Sequence, residues 1–167
     1  ITIRYDETFW KRLIMNSDVL LQYEPEITQE DIDSINDYLL SGGFITEFRK
    51  TDLFEKRISE FVKCDETIIL PNGTLTLFSI LKALGIKQNS KVIVPNYTMA
   101  ATAFSVVETG AEIIFCDIEW PSLCLSMDAL EEILNREENI NAIMFMNANG
   151  RYPSYKIDQL VRLCTVK

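Results

Sequence analysis

The sequence predicts an α/β fold: a mostly parallel sheet in three layers, with helices on both faces. Three observations lead there. Short runs that are apolar through their centres, at 67–70, 91–94, 112–116 and 141–146, alternate with stretches of helical periodicity. Strands that are apolar on both sides belong to a sheet covered on both faces, which is what helical crossovers between parallel strands provide. Turn and stop residues punctuate the alternation: Pro71-Asn72-Gly73, Gly85, Pro95 and Gly110.

Bulk properties agree with a globular chain. Of the 167 residues, 47% are hydrophobic and 25% charged, enough apolar matter for one domain with a sizeable core. A net charge of -9 argues against nucleic acid as a partner, since binding its backbone needs clustered Lys and Arg. No apolar run reaches bilayer-spanning length, and no signal-peptide pattern opens the chain, so neither membrane nor export is expected and a cytoplasmic location is the default. Cys64, Cys116, Cys124 and Cys164 lie far apart without a CxxC pair, which suits reduced thiols. The chain has no histidine, so Ser-His-Asp and Cys-His catalysis and His-ligated zinc are excluded within it; no metal site is expected. Because it begins at Ile1 rather than Met, the chain is expected to be a piece of a longer reading frame or a processed product.

Residues 1–22 read as an N-terminal arm with a short helix around Phe9, Leu13 and Ile14. Pro25 holds the preceding residue extended. Thr28 then reads as an N-cap, with Asp31 completing a near capping box. Ile32, Ile35 and Leu39 give that helix its stripe, and Gly42-Gly43 stops it. A linker at 44–50 mixes charge and aromatics, and Phe54, Ile58 and Phe61 mark a second helix. From there strand and helix alternate: 67–70, helix 74–84, 91–94, helix 98–108, 112–116, helix 127–135 under a Ser126 cap, 141–146, and helix 157–164.

Parallel sheets bind ligands beyond the carboxyl ends of their strands. That rule gathers residues 72–74, 96–98, Asp117 and 147–151 on one rim. The turn at Asn72, Gly73 and Thr74 opens a helix, whose unpaired N–H groups and positive dipole end suit an anion; glycine there permits positive φ and close ligand approach. The alternative is an ordinary βα turn. Tyr97 has two readings as well, a ring over a planar ligand or a cover for the sheet end. Asn147, Asn149 and Arg151 around Gly150 bind an anion or close a turn. Asp117 with Glu119 reads as a carboxylate pair, although an Asp closing a strand is more ordinarily a helix or turn cap. No P-loop follows Gly73 and no GxGxxG follows any strand, which removes ATP in a P-loop and NAD in its usual fingerprint. A small phosphorylated planar cofactor fits what is left.

Taken in order, these pieces resemble the N-terminal part of the DegT/DnrJ/EryC1/StrS family of pyridoxal-phosphate-dependent sugar aminotransferases. Residues 23–40 resemble the family's opening helix, and Ser41-Gly42-Gly43-Phe44-Ile45-Thr46 its "SGWIT" turn. Residues 54–61 resemble its "FEEEFA" helix, Asn72-Gly73-Thr74 its "SGT", and Val94-Pro95-Asn96-Tyr97-Thr98 its "VPSFT". The "VAT" that follows there is matched by residues 100–102. Phe115-Cys116-Asp117-Ile118 resembles "FVDV", and Asn149-Gly150-Arg151 an "NGR" variant of a later loop. Each motif is weak alone; their order and spacing are more specific.

The resemblance implies an incomplete large domain of a fold type I transferase over residues 23–167. It implies a cofactor, pyridoxal 5'-phosphate, held by Asn72, Gly73 and Thr74 at the phosphate and by Tyr97 at the ring. It implies that Phe44, Ile45 and Thr46 lie near a nucleotide-linked keto sugar, with glutamate as amino donor and a homodimer as the assembly. The family's acid at the pyridine nitrogen and its cofactor-anchoring lysine both fall later than Lys167. No catalytic residue is therefore assigned here; Lys82, Lys87, Lys91 and Lys156 read as solvated surface, and the chain alone is expected to be inactive and prone to aggregate. Ser154-Tyr155 departs from the family's Asp-Met or Asp-Leu. Alternatives are a non-catalytic or dehydratase-like member, and a binding or dimerisation module.

Overall fold

The computed structural model describes residues 25–44 and 49–166. The chain divides into two compact units, 1–62 and 63–167. The expected N-terminal arm lies outside the described residues.

In the first unit, helix α1 spans Gln29–Leu40 and helix α2 spans Arg49–Val62. The capping box forms as expected. Asp31 N donates to Thr28 Oγ1 at 3.2 Å, and Thr28 N donates to the Asp31 carboxylate at 2.8 Å. The stop after α1 is also as read, with both Gly42 and Gly43 at positive φ. Arg49 reaches back from α2, donating to Gly42 O at 3.3 Å with its guanidinium 6.0 Å from the Tyr38 ring centre.

In the second unit, α3 (Gly73–Ala83) precedes β1 (Lys91–Pro95), α4 (Ala100–Val107), β2 (Glu112–Cys116), α5 (Met127–Arg136), β3 (Ile140–Ile143) and α6 (Ile157–Val166). The three strands are parallel in the order β2-β1-β3. Side chains alternate across β1, and each face has its own core. Val92 and Val94 pack with Leu81, Ile86 and Val106 beneath α3 and α4. Ile93 packs on the opposite face with Cys116, Leu125, Leu130, Ile133 and Leu160, beneath α5 and α6. This is the helix–sheet–helix sandwich that doubly apolar strands require. No helix among the described residues is long and apolar enough to cross a membrane.

One expected strand is missing. Residues 67–70 form no regular element and take no place in the sheet, and Ile68 is 77% exposed. A strand exists only through a ladder, so an apolar run is necessary and not sufficient. The run at 141–146 is likewise shorter as a strand, although Met144 N still donates to Ile93 O at 2.8 Å. Strand β3 also carries a bulge: Lys91 pairs with Ile140 but Val92 with Ala142, leaving Asn141 as the extra residue. Its side-chain oxygen accepts from Lys91 N at 2.8 Å. The bulge reverses the strand's alternation, so Ile140 and Ile143 share one core while Ala142 and Met144 join the other.

Lys91 is not simply solvated. Its ammonium pairs with Glu137 Oε2 at 2.9 Å, both side chains about three-quarters covered. The four cysteines are free, Cys116 and Cys124 buried and Cys64 and Cys164 exposed. Burial, with Asp117 adding to it, pushes the Cys116 thiol up to about 11, so it stays protonated as a core group.

Candidate functional site

All three strands run the same way, so their carboxyl ends share one rim. The ladder extends there, with Asn96 N donating to Cys116 O at 2.8 Å. A cleft of about 430 Å³ opens at this rim, lined on one side by Gly73, Thr74 and Leu77 of α3. Pro95, Met99 and Thr102 line it from β1 and the start of α4, and Met144, Phe145 and Met146 from the chain leaving β3. Of the segments predicted for the rim, only the start of α3 reaches the cleft itself, through Gly73 and Thr74. Residues 96–98, Asp117 and 147–151 are absent from its lining, which takes chain neighbours of 96–98 and 147–151 instead. Other cavities flank the Glu137–Ile143 end of β3 and the α5–α6 groove, where no predicted site residue lies.

The start of α3 has the features of an anion seat. Asn72 is the N-cap, its Oδ1 accepting from Leu75 N at 3.0 Å, and its carbonyl accepts from Thr76 N at 3.1 Å. Neither the Gly73 nor the Thr74 amide has an acceptor among the described residues. Gly73 differs from expectation in one respect: its φ is not positive. A Cβ built on it would meet no atom within 4 Å. Neither backbone strain nor packing against described residues demands glycine here, and its open side leaves room for another group to approach the backbone closely. Thr74 is exposed beside it.

The other rim residues sort differently. Tyr97 lies between Pro95 and Met99, 47% exposed, at the same end as Gly73 but not among the groups walling the cleft. Asn147, Asn149 and Arg151 build a short 3-10 turn, with Asn149 left-handed at φ 50. Asn147 Nδ2 closes that turn by donating to Arg151 O at 2.8 Å. Asp117 accepts from Ile118 N at 2.8 Å, as a turn cap does. Of the predicted substrate-side residues, Phe44 is exposed in the first unit, and Ile45 and Thr46 lie outside the described residues.

Composition and motif order gave no warning of the network around Glu119. Its carboxylate accepts from Ser122 Oγ at 2.6 Å, Ser154 N at 2.6 Å and Ser154 Oγ at 2.5 Å. Burial raises the affinity of this carboxyl for its proton, but the three hydrogen bonds outweigh burial and hold it below the ordinary carboxylate range. Next to Ser154, Tyr155 donates its hydroxyl to Leu125 O at 2.7 Å, and burial, with lesser help from Glu119, pushes it up to about 12. The two residues that depart from the family's pattern thus bind the 147–155 segment to the 118–125 loop. Their partners lie 35 residues (Ser154 to Glu119) and 30 residues (Tyr155 to Leu125) away in the chain, which hid this from a local reading.

Residues 25–167 match the DegT/DnrJ/EryC1/StrS aminotransferase family. The chain belongs to that family. GDP-perosamine synthase of Vibrio cholerae is 32% identical over 142 residues, 85% of this chain and 38% of that protein. A UDP-4-amino-4,6-dideoxy-N-acetyl-beta-L-altrosamine transaminase of Campylobacter jejuni is 28% identical over 141 residues, 82% of this chain and 35% of that protein. Among solved structures, a sugar aminotransferase of Streptococcus pneumoniae in its PMP form superposes with a TM-score of 0.74 at 29% identity, over 83% of this chain and 34% of that one. The chain therefore spans about a third of the length of these DegT/DnrJ/EryC1/StrS relatives. Fold class and family both agree with the sequence reading.

Proposed function

We propose that this chain supplies the phosphate side of the cofactor site in a pyridoxal-phosphate-dependent aminotransferase. Its substrate would be a nucleotide-linked keto sugar, its amino donor glutamate, and its assembly a homodimer. The observation that carries this reading is the start of α3: two adjacent amides without acceptors among the described residues, at a glycine that lines a cleft. That donor set fits a phosphate. The amides of Gly73 and Thr74 and the Thr74 hydroxyl would hold the phosphate, Asn72 would keep the turn in shape, and Tyr97 would lie against the ring. Phe44, Ile45 and Thr46 would serve the sugar side. When bound, the cofactor supplies the electron sink. The residues lining the cleft include no titratable side chain, so their contribution is to bind and orient. The same lining favours a second reading, a family member that binds without catalysing.

The test is a titration of the 167-residue chain with pyridoxal 5'-phosphate and with pyridoxal, followed by visible absorbance. Phosphate-dependent binding is expected, and Thr74→Val should weaken it about tenfold, the worth of one hydrogen bond to a charged group. Equal affinity for the two compounds, or an unchanged affinity in the variant, removes the phosphate seat. Borohydride treatment of the complete protein with its cofactor separates the two readings. Irreversible trapping supports the enzyme, and a fully reversible complex supports the binding module.

A further inference from the structure

We infer that Thr98 is a positioning residue, whose hydroxyl clamps the rim loop carrying Tyr97 and so sets the wall of the cleft opposite Gly73. Its functional consequence rests on the cofactor reading; the clamp itself does not. Met99 occupies the N-cap of α4 and makes no side-chain capping bond, at a position where Ser, Thr, Asp or Asn is favoured. The residue before it ties to the first turn by a side-chain contact instead of a cap. Thr98 Oγ1 lies 2.8 Å from Thr102 Oγ1 in the first turn of α4, and donates to Met146 Sδ at 3.3 Å. A hydroxyl carries one hydrogen and two lone pairs, so both contacts hold together when Thr102 donates to Thr98 and Thr98 to Met146. Thr102 is 8% exposed, which leaves water little access to its hydroxyl.

Three segments are joined through this one oxygen: the loop after β1, the start of α4 and the chain leaving β3. Thr102 and Met146 both wall the cleft, as does Met99 beside Thr98, whereas Thr98 does not. It therefore acts through its neighbours. The loop has two further anchors, Asn96 N donating to Cys116 O at 2.8 Å and Thr102 N donating to Met99 O at 2.9 Å. Between them Tyr97 makes no hydrogen bond to a described residue, so the Thr98 hydroxyl is what restrains its backbone from within the loop.

The test compares wild type, Thr98→Val and Thr98→Ser by amide hydrogen exchange of residues 96–99 and by titration with pyridoxal 5'-phosphate. Valine keeps the shape and loses the hydroxyl; it should speed exchange in this loop about fivefold and weaken binding by a similar factor, with serine restoring both. Unchanged exchange in Thr98→Val overturns the inference, whether or not the cofactor binds. Faster exchange with serine rescue, in a chain that binds no cofactor, upholds the clamp and sinks the cofactor reading instead. Should the valine variant fail to fold, Met146→Leu removes the sulfur acceptor and is read in the same way.

Discussion

Ile93→Ala should lower the unfolding free energy of the sheet unit by about 3–4 kcal/mol, the middle of the range for buried Ile or Leu truncations. The side chain is fully buried at the centre of the middle strand, with β2 and β3 on either side and α5 and α6 above it. Losing three carbon atoms removes roughly 2.4 kcal/mol of transfer free energy at ~0.8 per methylene, and the cavity adds to that where the surroundings do not collapse. Collapse is limited here, because strands on both sides hold the backbone of β1 at hydrogen-bonding distance. Urea denaturation provides the measurement: the midpoint should fall with the slope unchanged. Ile93→Val should cost only about 1 kcal/mol. A cost below about 1 kcal/mol for the alanine variant would mean that the Leu125–Leu130–Leu160 cluster repacks around the gap.

Glu119→Ala should cost about 2 kcal/mol, because it leaves one amide and two hydroxyls at Ser122 and Ser154 without their acceptor. The pH dependence of Glu119→Gln supplies the sharper check. Glu119 has a native pKa below its ordinary value of 4.5, so its ionised form is favoured by folding. The resulting stability is fully present above 4.5 and is lost as pH falls through the lower native value. The difference between wild type and Glu119→Gln should therefore be flat above pH 4.5 and shrink below it. A difference that grew on acidification would show that the carboxylate is not the species holding Ser154.

The elements of the sheet unit were legible because their signals are local. Ser126 announces α5, and its hydroxyl does accept from Ala129 N at 3.3 Å. The runs at Lys91–Pro95 and Glu112–Cys116 carry their strand character in their composition, and the strand limits follow, although only the first is buried along its length. Residues 67–70 were misread for the same reason: apolar composition says that a segment can be buried, not that a neighbouring strand is there to pair with it. Parallel topology alone placed the ends of β1 and β3 on one rim, whereas α3 reaches the cleft without the preceding strand from which its place was inferred. What stayed hidden depends on partners far away in the chain. Glu119 looked like half of a carboxylate pair until Ser154 came into reach, Lys91 looked solvated until Glu137 did, and Thr98 passed as a helix start although its hydroxyl meets a methionine 48 residues on.

The extra residue at Asn141 has a consequence at the opposite end of its strand. Every side chain after it is one step out of phase with those before it. A count made at the base of the sheet thus decides that Met144 joins the core under α3 and α4, and Phe145 the core under α5 and α6. Deleting Asn141 would leave the composition of the rim intact and yet exchange the cores that Met144 and Phe145 join. An indel of a single codon, remote from the cleft, is in this fold equivalent to rewriting one of its walls.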